Sequence, residues 1–321
     1  MVERMAEILP TIGITMGDAA GIGPEVVVKA LADGSLTNIC NCKVIGDRVH
    51  LERVAVSLGI DPGVLTDVCD LQNLPAETPI GVDAAESGRA AAKNIVKAVE
   101  LWRNGEIDAI ATAPISKKAI QLGGYDFQGH TEFLASLTDT EQFAMSFFGG
   151  GLRVVLLSTH LSLRDAIELV RKDKLADLIK FSSRELSKLL GRNVKIAVAG
   201  LNPHASEGGM FGREEADEII PAINDCRSLG IDVSGPYSPD TIFLRCSKGE
   251  FDAVVALYHD QATIPVKSLA FNAAVNVTLG LPLIRTSVDH GTAYDIAGKG
   301  IAESASMTAA IRLAAELAAA K

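Results

Sequence analysis

Three short segments hold half of the six histidines in this 321-residue chain: Ser158-Thr159-His160, Asn202-Pro203-His204-Ala205 and Tyr258-His259-Asp260-Gln261. Each follows an apolar run, Val154 to Leu157, Ile196 to Leu201 and Val254 to Leu257, that reads as a buried β-strand. In an open α/β sheet, ligands bind beyond the carboxyl ends of the strands. Three imidazoles converging there would supply nitrogen donors around a divalent metal and leave a position open for chemistry. A single strand-end histidine more often satisfies a loop. The repetition of one context at His160, His204 and His259 points to a metal.

Two glycine-rich stretches raise the question of a nucleotide. Gly17-Asp18-Ala19-Ala20-Gly21-Ile22-Gly23-Pro24-Glu25 joins an expected strand to an expected helix. Its glycines permit close backbone approach, and Pro24 suits a first helical turn. An anion could rest on that helix N-terminus, but the spacing matches neither Gly-x-Gly-x-x-Gly nor a phosphate loop ending in Gly-Lys-Ser/Thr. A tight turn is an equal reading. The stretch Asp289-His290-Gly291-Thr292-Ala293-Tyr294-Asp295-Ile296-Ala297-Gly298-Lys299-Gly300 is dense in small and hydrogen-bonding residues. It could wrap a nucleotide with its backbone, which makes Asp289, His290, Gly291, Thr292 and Asp295 the candidate nucleotide contacts.

The elements that must position these residues alternate. Strands are expected at Ile12 to Met16, Lys43 to Gly46 and Ile107 to Ala111. Helices are expected at Pro24 to Leu31, Arg48 to Leu58, Ala84 to Asn104 and from Lys117. This rhythm predicts a mainly parallel sheet covered by helices. Phe143 to Phe148 and Arg153 to Leu157, joined by Gly149-Gly150-Gly151, read as a hairpin that interrupts it. Helices are further expected at Asp165 to Leu190, broken near Lys172 to Lys174, at Glu214 to Leu229 and at Ser304 to Ala320. The expected fold is α/β with two α/β/α lobes. Residues 1–125 and 276–321 would form one lobe and 126–275 the other, with the active site in the cleft between them.

Composition narrows the function classes. Nearly half the residues are apolar, and the formal net charge is −10. A chain this acidic, with no basic stripe, is a poor partner for nucleic acid, so an anionic substrate would need a local cluster of Lys and Arg. The five cysteines show no Cys-x-x-Cys spacing, which fits a reduced cytosol. The segment Met1 to Pro10 carries Glu3 and Glu7 and has no long apolar core, unlike a secretory leader. No apolar run approaches membrane length. A cytoplasmic protein is expected.

Taken together the motifs resemble the 4-hydroxythreonine-4-phosphate dehydrogenase family. The matching pieces include Thr15-Met16-Gly17-Asp18 through Glu25, Thr112-Ala113-Pro114, Gly129-His130-Thr131-Glu132, the three histidine segments, Asp240-Thr241, Val275 to Pro282 and Arg285 to Thr292. They span nearly the whole chain. The loop from His290 to Gly300 also looks like the adenosine-binding loop of isopropylmalate and isocitrate dehydrogenases. The resemblance implies a homodimer with a shared active site. It implies that His160, His204 and His259 bind a divalent metal (zinc, magnesium, cobalt or manganese) and that NAD is the oxidant. It also implies that His130, Thr131, Lys267, Asn276 and Arg285 bind substrate, with Lys267, Asp240 and His130 as the candidate catalytic groups. Lys117 matches a family lysine.

Ala19 stands where the family usually has Pro, and Ser206 and Ala262 stand where Gly is usual. The ending Ala302 to Met307 looks more like a branch acting on 4-phospho-D-threonate or 4-phospho-D-erythronate than on the vitamin B6 precursor. The implied reaction is metal- and NAD-dependent oxidation, with decarboxylation, of a 4-phosphorylated 3-hydroxy acid. The same histidines could serve a hydrolase or aldolase that acts on a phosphorylated sugar acid without a nucleotide. A non-enzymatic sugar-phosphate regulator would leave them superfluous.

Overall fold

A computed structural model describes residues 9–127, 129–270 and 273–320. The chain forms two compact units. The first is built from residues up to Glu141 and from Leu281–Ala319, the second from Gln142–Gly280.

In the first unit the strands are β1 (Thr11–Thr15), β2 (Asn41–Gly46), β3 (Val68–Asp70), β4 (Ala109–Thr112) and β11 (Ile284–Ser287). They lie in the order β3-β2-β1-β4-β11, all parallel. Every residue of β4 and β11 is buried, as expected of parallel strands covered by helices. The helices are α1 (Gly23–Ala32), α2 (Arg48–Ser57), α3 (Ala85–Arg103), α4 (Lys117–Leu122), α5 (His130–Leu137) and α11 (Ala305–Ala319). Small residues let α3 and α4 pack very closely: a Cβ on Gly88 would stand 1.8 Å from the Ala119 carbonyl oxygen. Because α5 packs on α3, it belongs to this unit. The lobe boundary expected near 125 therefore falls after Glu141.

The second unit contains β5 (Ala144–Gly149), β6 (Leu152–Leu156), β7 (Ile196–Ala199), β8 (Val233–Tyr237), β9 (Ala253–Ala256) and β10 (Val275–Leu279). Their order is β10-β5-β6-β9-β7-β8. The β10–β5 and β5–β6 pairs are antiparallel, and the rest are parallel. Gly149 pairs with Leu152, so Gly150 (φ 57°) and Gly151 (φ 81°) form a two-residue turn. Positive φ at both central residues defines the tight hairpin that the three glycines predict. The helices are α6 (Leu163–Glu168), α7 (Lys172–Leu190), α8 (Ile220–Ser228), α9 (Ile242–Ser247) and α10 (His259–Ala270). The expected helical break near Lys172 is the gap between α6 and α7. There the Lys172 amide donates to Glu218 at 2.6 Å instead of continuing a helix.

Candidate functional site

The second unit places the three histidine segments on one edge. Strands β6, β9 and β7 are adjacent and parallel, so their carboxyl ends open together, as the topology rule requires of a ligand site. The His160 and His259 rings lie 5.9 Å apart, centroid to centroid. His259 begins α10, and its Nδ1 is 2.7 Å from the Asp260 carboxylate. An ionised carboxylate only accepts, so Nδ1 carries the proton and Nε2 is left for another partner.

His204 differs. It opens a run, His204 to Gly208, in which every φ is positive, from 47° to 69°. Four of the five residues are not glycine, and such conformations cost about 1–3 kcal/mol each. Ser206, where the family usually has Gly, sits at φ 66°. Among the described residues no three His, Cys, Asp or Glu side chains stand close enough to hold one metal ion. Within this chain the described residues thus bring His160 and His259 together as a neighbouring pair and do not gather three such ligands at one point. A neighbouring pair of imidazoles, one braced by a carboxylate through its other nitrogen, is a donor set that suits a divalent cation.

Buried polar groups tie the three strand ends together. Ser158 Oγ donates to the Leu257 carbonyl at 2.9 Å. The Gln261 amide accepts from Leu257 N and donates to the Gly200 carbonyl, both at 2.7 Å. Glu215, 1% exposed, accepts from the amides of Leu201 (2.8 Å) and Asn202 (2.7 Å) and from the Asn202 side chain (2.8 Å). Lys267 is an exposed residue of α10. Asn276 lies on β10 opposite Phe147, and its Oδ1 is buried with no hydrogen-bond partner among the described residues. Asp240, in the turn after β8, accepts from Ser238 Oγ at 2.6 Å.

In the first unit the prominent group is Arg285 on β11, 4% exposed. Its Nε and Nη2 both donate to Thr112 Oγ1 on the adjacent strand β4, at 3.2 and 2.9 Å. Burial pushes its guanidinium down to about 9, while Glu132 pulls the other way. It remains charged at neutral pH, so the cost of removing it from water can be offset by an anion. His130 opens α5, and its Nε2 is buried with no hydrogen-bond partner among the described residues. Burial and then the Arg285 charge hold this imidazole well below the usual histidine range. It is neutral at physiological pH and able to share a hydrogen bond. Thr131 follows it in α5, and Lys117 is the exposed first residue of α4.

The glycine-rich stretches pack against each other. Ile22 N donates to Thr292 O at 3.0 Å, and a Cβ on Gly21 would meet that oxygen at 2.8 Å. Gly21 N is taken by Asp18 O, and Asp18 N by Pro114 O. The segment is therefore a packed turn in which the amides of Asp18, Ala20, Gly21 and Ile22 are all in use. Tyr294 OH donates to the buried Asp18 at 2.7 Å. Lys29 reaches Gly300 O and Ala302 O at 3.0 and 2.7 Å. The stretch is thus anchored at both ends, with Asp289, His290, Gly291 and Asp295 at least partly exposed. A cavity of about 100 Å³ lies beside it, lined by Ala19, Gly21, Glu25, His50 and Gly298 to Gly300 among others.

The fold is that of an α/β protein with its candidate ligands at strand ends, and comparison with known proteins fixes the family. Residues 38–314 match the family described as "Pyridoxal phosphate biosynthetic protein PdxA", and the chain belongs to it. The chain is 46% identical to the D-threonate 4-phosphate dehydrogenase of Cupriavidus necator, over 98% of this chain and 99% of that protein. A 4-hydroxythreonine-4-phosphate dehydrogenase structure from Klebsiella pneumoniae superposes with a TM-score of 0.88 at 40% identity, covering 96% of this chain and 99% of that one. Another such structure, from Burkholderia phymatum, gives 0.85 at 45% identity, with 97% and 99% covered. The chain is an oxidoreductase, which sets aside the hydrolase, aldolase and regulator readings.

Sequence reasoning singled out the histidines and Arg285 but not the residues that hold them. Thr112 was visible within its motif, yet nothing local showed that β4 neighbours β11. Glu215 lies in an expected amphipathic helix, where a buried acid leaves no periodic signal. Gln261 was quoted only as the residue that ends a motif.

Proposed function

We propose that this chain oxidises a 4-phosphorylated 3-hydroxy acid with NAD and a divalent cation, with loss of the carboxyl carbon as CO2. The observation that carries the reading is the Arg285 environment. A buried guanidinium braced by Thr112, close enough to depress the neutral His130, suits an anionic group better than solvent. Arginine offers parallel donors that match phosphate or carboxylate. His130 Nε2 and Asn276 Oδ1, both buried and without a partner among the described residues, are suited to substrate hydroxyls. Thr131 adds a hydroxyl beside His130, and Lys267 a positive charge.

When bound, NAD takes the hydride and the cation withdraws electron density from the oxidised carbon's oxygen. His160 and His259 would hold the cation, with His204 contributed by the third strand end. Imidazole donors favour zinc or cobalt over magnesium, which prefers oxygen ligands. Asp240 is proposed as a proton acceptor at the same sheet edge. The stretch from Asp289 to Asp295 is proposed to carry the nucleotide. The dimer, with its shared site, and a cytoplasmic location are part of the same reading. Among the described residues no helix is long and apolar enough to cross a membrane.

Between the two substrates that the relatives' names carry, we favour 4-phospho-D-threonate or its erythronate epimer, because the curated relative from Cupriavidus necator is named a D-threonate 4-phosphate dehydrogenase. The test is a panel of 4-phospho-D-threonate, 4-phospho-D-erythronate, 4-hydroxythreonine 4-phosphate and unphosphorylated threonate. Each is supplied with NAD and zinc, cobalt, manganese or magnesium, and reduced nicotinamide is followed by absorbance. Turnover of the unphosphorylated acid as fast as its phosphate ester would defeat the reading.

A further inference from the structure

We infer that Gln261 is the positioning residue that sets the mutual placement of the three histidine-bearing strand ends, and that it does so through an amide no other side chain replaces. The inference rests on the metal reading above. Gln261 is 6% exposed and occupies the first turn of α10, two residues after His259. Its Oε1 accepts from Leu257 N, at the end of the strand that leads to His259. Its Nε2 donates to Gly200 O, at the end of the strand that leads to His204. Leu257 O in turn accepts from Ser158 Oγ, in the segment that leads to His160. One side chain therefore joins the His259 and His204 segments, and the residue it grips also receives the tie from the His160 segment.

The chemistry is selective. The site needs an acceptor facing Leu257 N and a donor facing Gly200 O, at the reach of two methylenes. Glutamine supplies both. Glutamate keeps the acceptor but turns a second acceptor toward a carbonyl oxygen. Methionine matches the length and leaves a buried amide and a buried carbonyl unpaired. Space at the Gly200 end is also closed, since a Cβ there would lie 2.9 Å from Ala205 Cα and 3.3 Å from Glu215 Oε1. The left-handed run beginning at His204 starts four residues beyond this tie.

The test uses the full chain, stripped of metal by chelation and titrated with Co2+, whose visible absorption reports the number and kind of ligands. Changing residues that brace metal ligands typically weakens metal binding about 10–100-fold, and that is the loss expected for Gln261→Met. Gln261→Glu should fall between wild type and Gln261→Met, because it retains one of the two bonds. Ser158→Ala removes only the His160-side tie and should weaken Co2+ binding without altering the fold, which keeps the test meaningful if Gln261→Met does not fold. The thermal midpoint of each metal-free protein is measured alongside. A role confined to stability would lower that midpoint and leave the Co2+ spectrum and affinity of the folded protein unchanged, and this result overturns the proposal. So does Co2+ affinity within about twofold of wild type in Gln261→Glu and Ser158→Ala while His259→Ala abolishes binding. If the wild-type chain itself shows no Co2+ spectrum, the metal reading fails and the role of Gln261 falls with it.

Discussion

The pair formed by Arg285 and His130 makes the sharpest residue-level predictions. Arg285→Lys keeps the charge but gives up the fork that grips Thr112 through two nitrogens. Loss of a charge-assisted hydrogen bond to a buried anion is worth roughly 1.5–3 kcal/mol. We expect kcat/KM for the phosphorylated substrate to fall by about one to two decades, with NAD affinity little changed. Unchanged kcat/KM together with weaker NAD binding would mean that the two sites had been exchanged. His130 carries a pH prediction. Its folded-state value is depressed by burial and by Arg285, so the unfolded chain takes up the proton first as pH falls below about 6.5. The neutral ring's contribution to stability is present above that pH and is lost as pH drops toward the folded value. Thermal melts should show wild type losing more stability between about pH 7 and 5 than His130→Gln. Equal losses would show that the imidazole is already accessible to protons in the folded state. These residues were legible through the motifs that carry the family resemblance. Their partners were not, because Thr112 and Arg285 are far apart in sequence and only the strand order brings them together.

Most elements followed from hydrophobic runs and punctuation. The glycine hairpin between β5 and β6 is the clearest case, since Gly150 and Gly151 adopt the conformation that their residue type favours. The central parallel strands β7 and β9 were legible as short, fully apolar runs. Several elements were not, and three of them show why. β3 is only Val68–Asp70, at the edge of its sheet and partly exposed throughout. β8 contains Gly235 and Pro236 and is half-buried along most of its length, so neither run length nor alternation marked it. α5 begins without a side-chain cap, which removes the usual start signal. The α3–α4 contact yields a test at this scale. Alanine at Gly88 would drive a methyl group into the Ala119 carbonyl, and backbone cannot yield as a side-chain tip can. Overpacking of this kind costs about 1–3 kcal/mol and sometimes more. Calorimetry should show a clear drop in the thermal midpoint of Gly88→Ala, and an unchanged midpoint would mean that the two helices are farther apart than described.

For the molecule as a whole, the family resemblance implies a dimer. Sedimentation equilibrium should give twice the chain mass, and mixing inactive His130→Ala and His160→Ala proteins should restore part of the activity. A monomer that still turns over substrate would refute the shared site. The discontinuity of the first unit has a consequence for synthesis. Its sheet needs β11 beside β4, yet about 170 residues separate them, and α11 arrives last of all. At about 5–20 residues per second the ribosome takes roughly ten to thirty seconds to supply the missing strand. Throughout that interval β4, every residue of which is buried in the finished protein, presents an apolar edge with no neighbour on one side. The second unit lies wholly within the intervening stretch and can fold while the first waits. Nascent chains halted before residue 281 should therefore carry one finished unit and one adhesive edge, and chaperone demand during translation should end abruptly when β11 and α11 emerge.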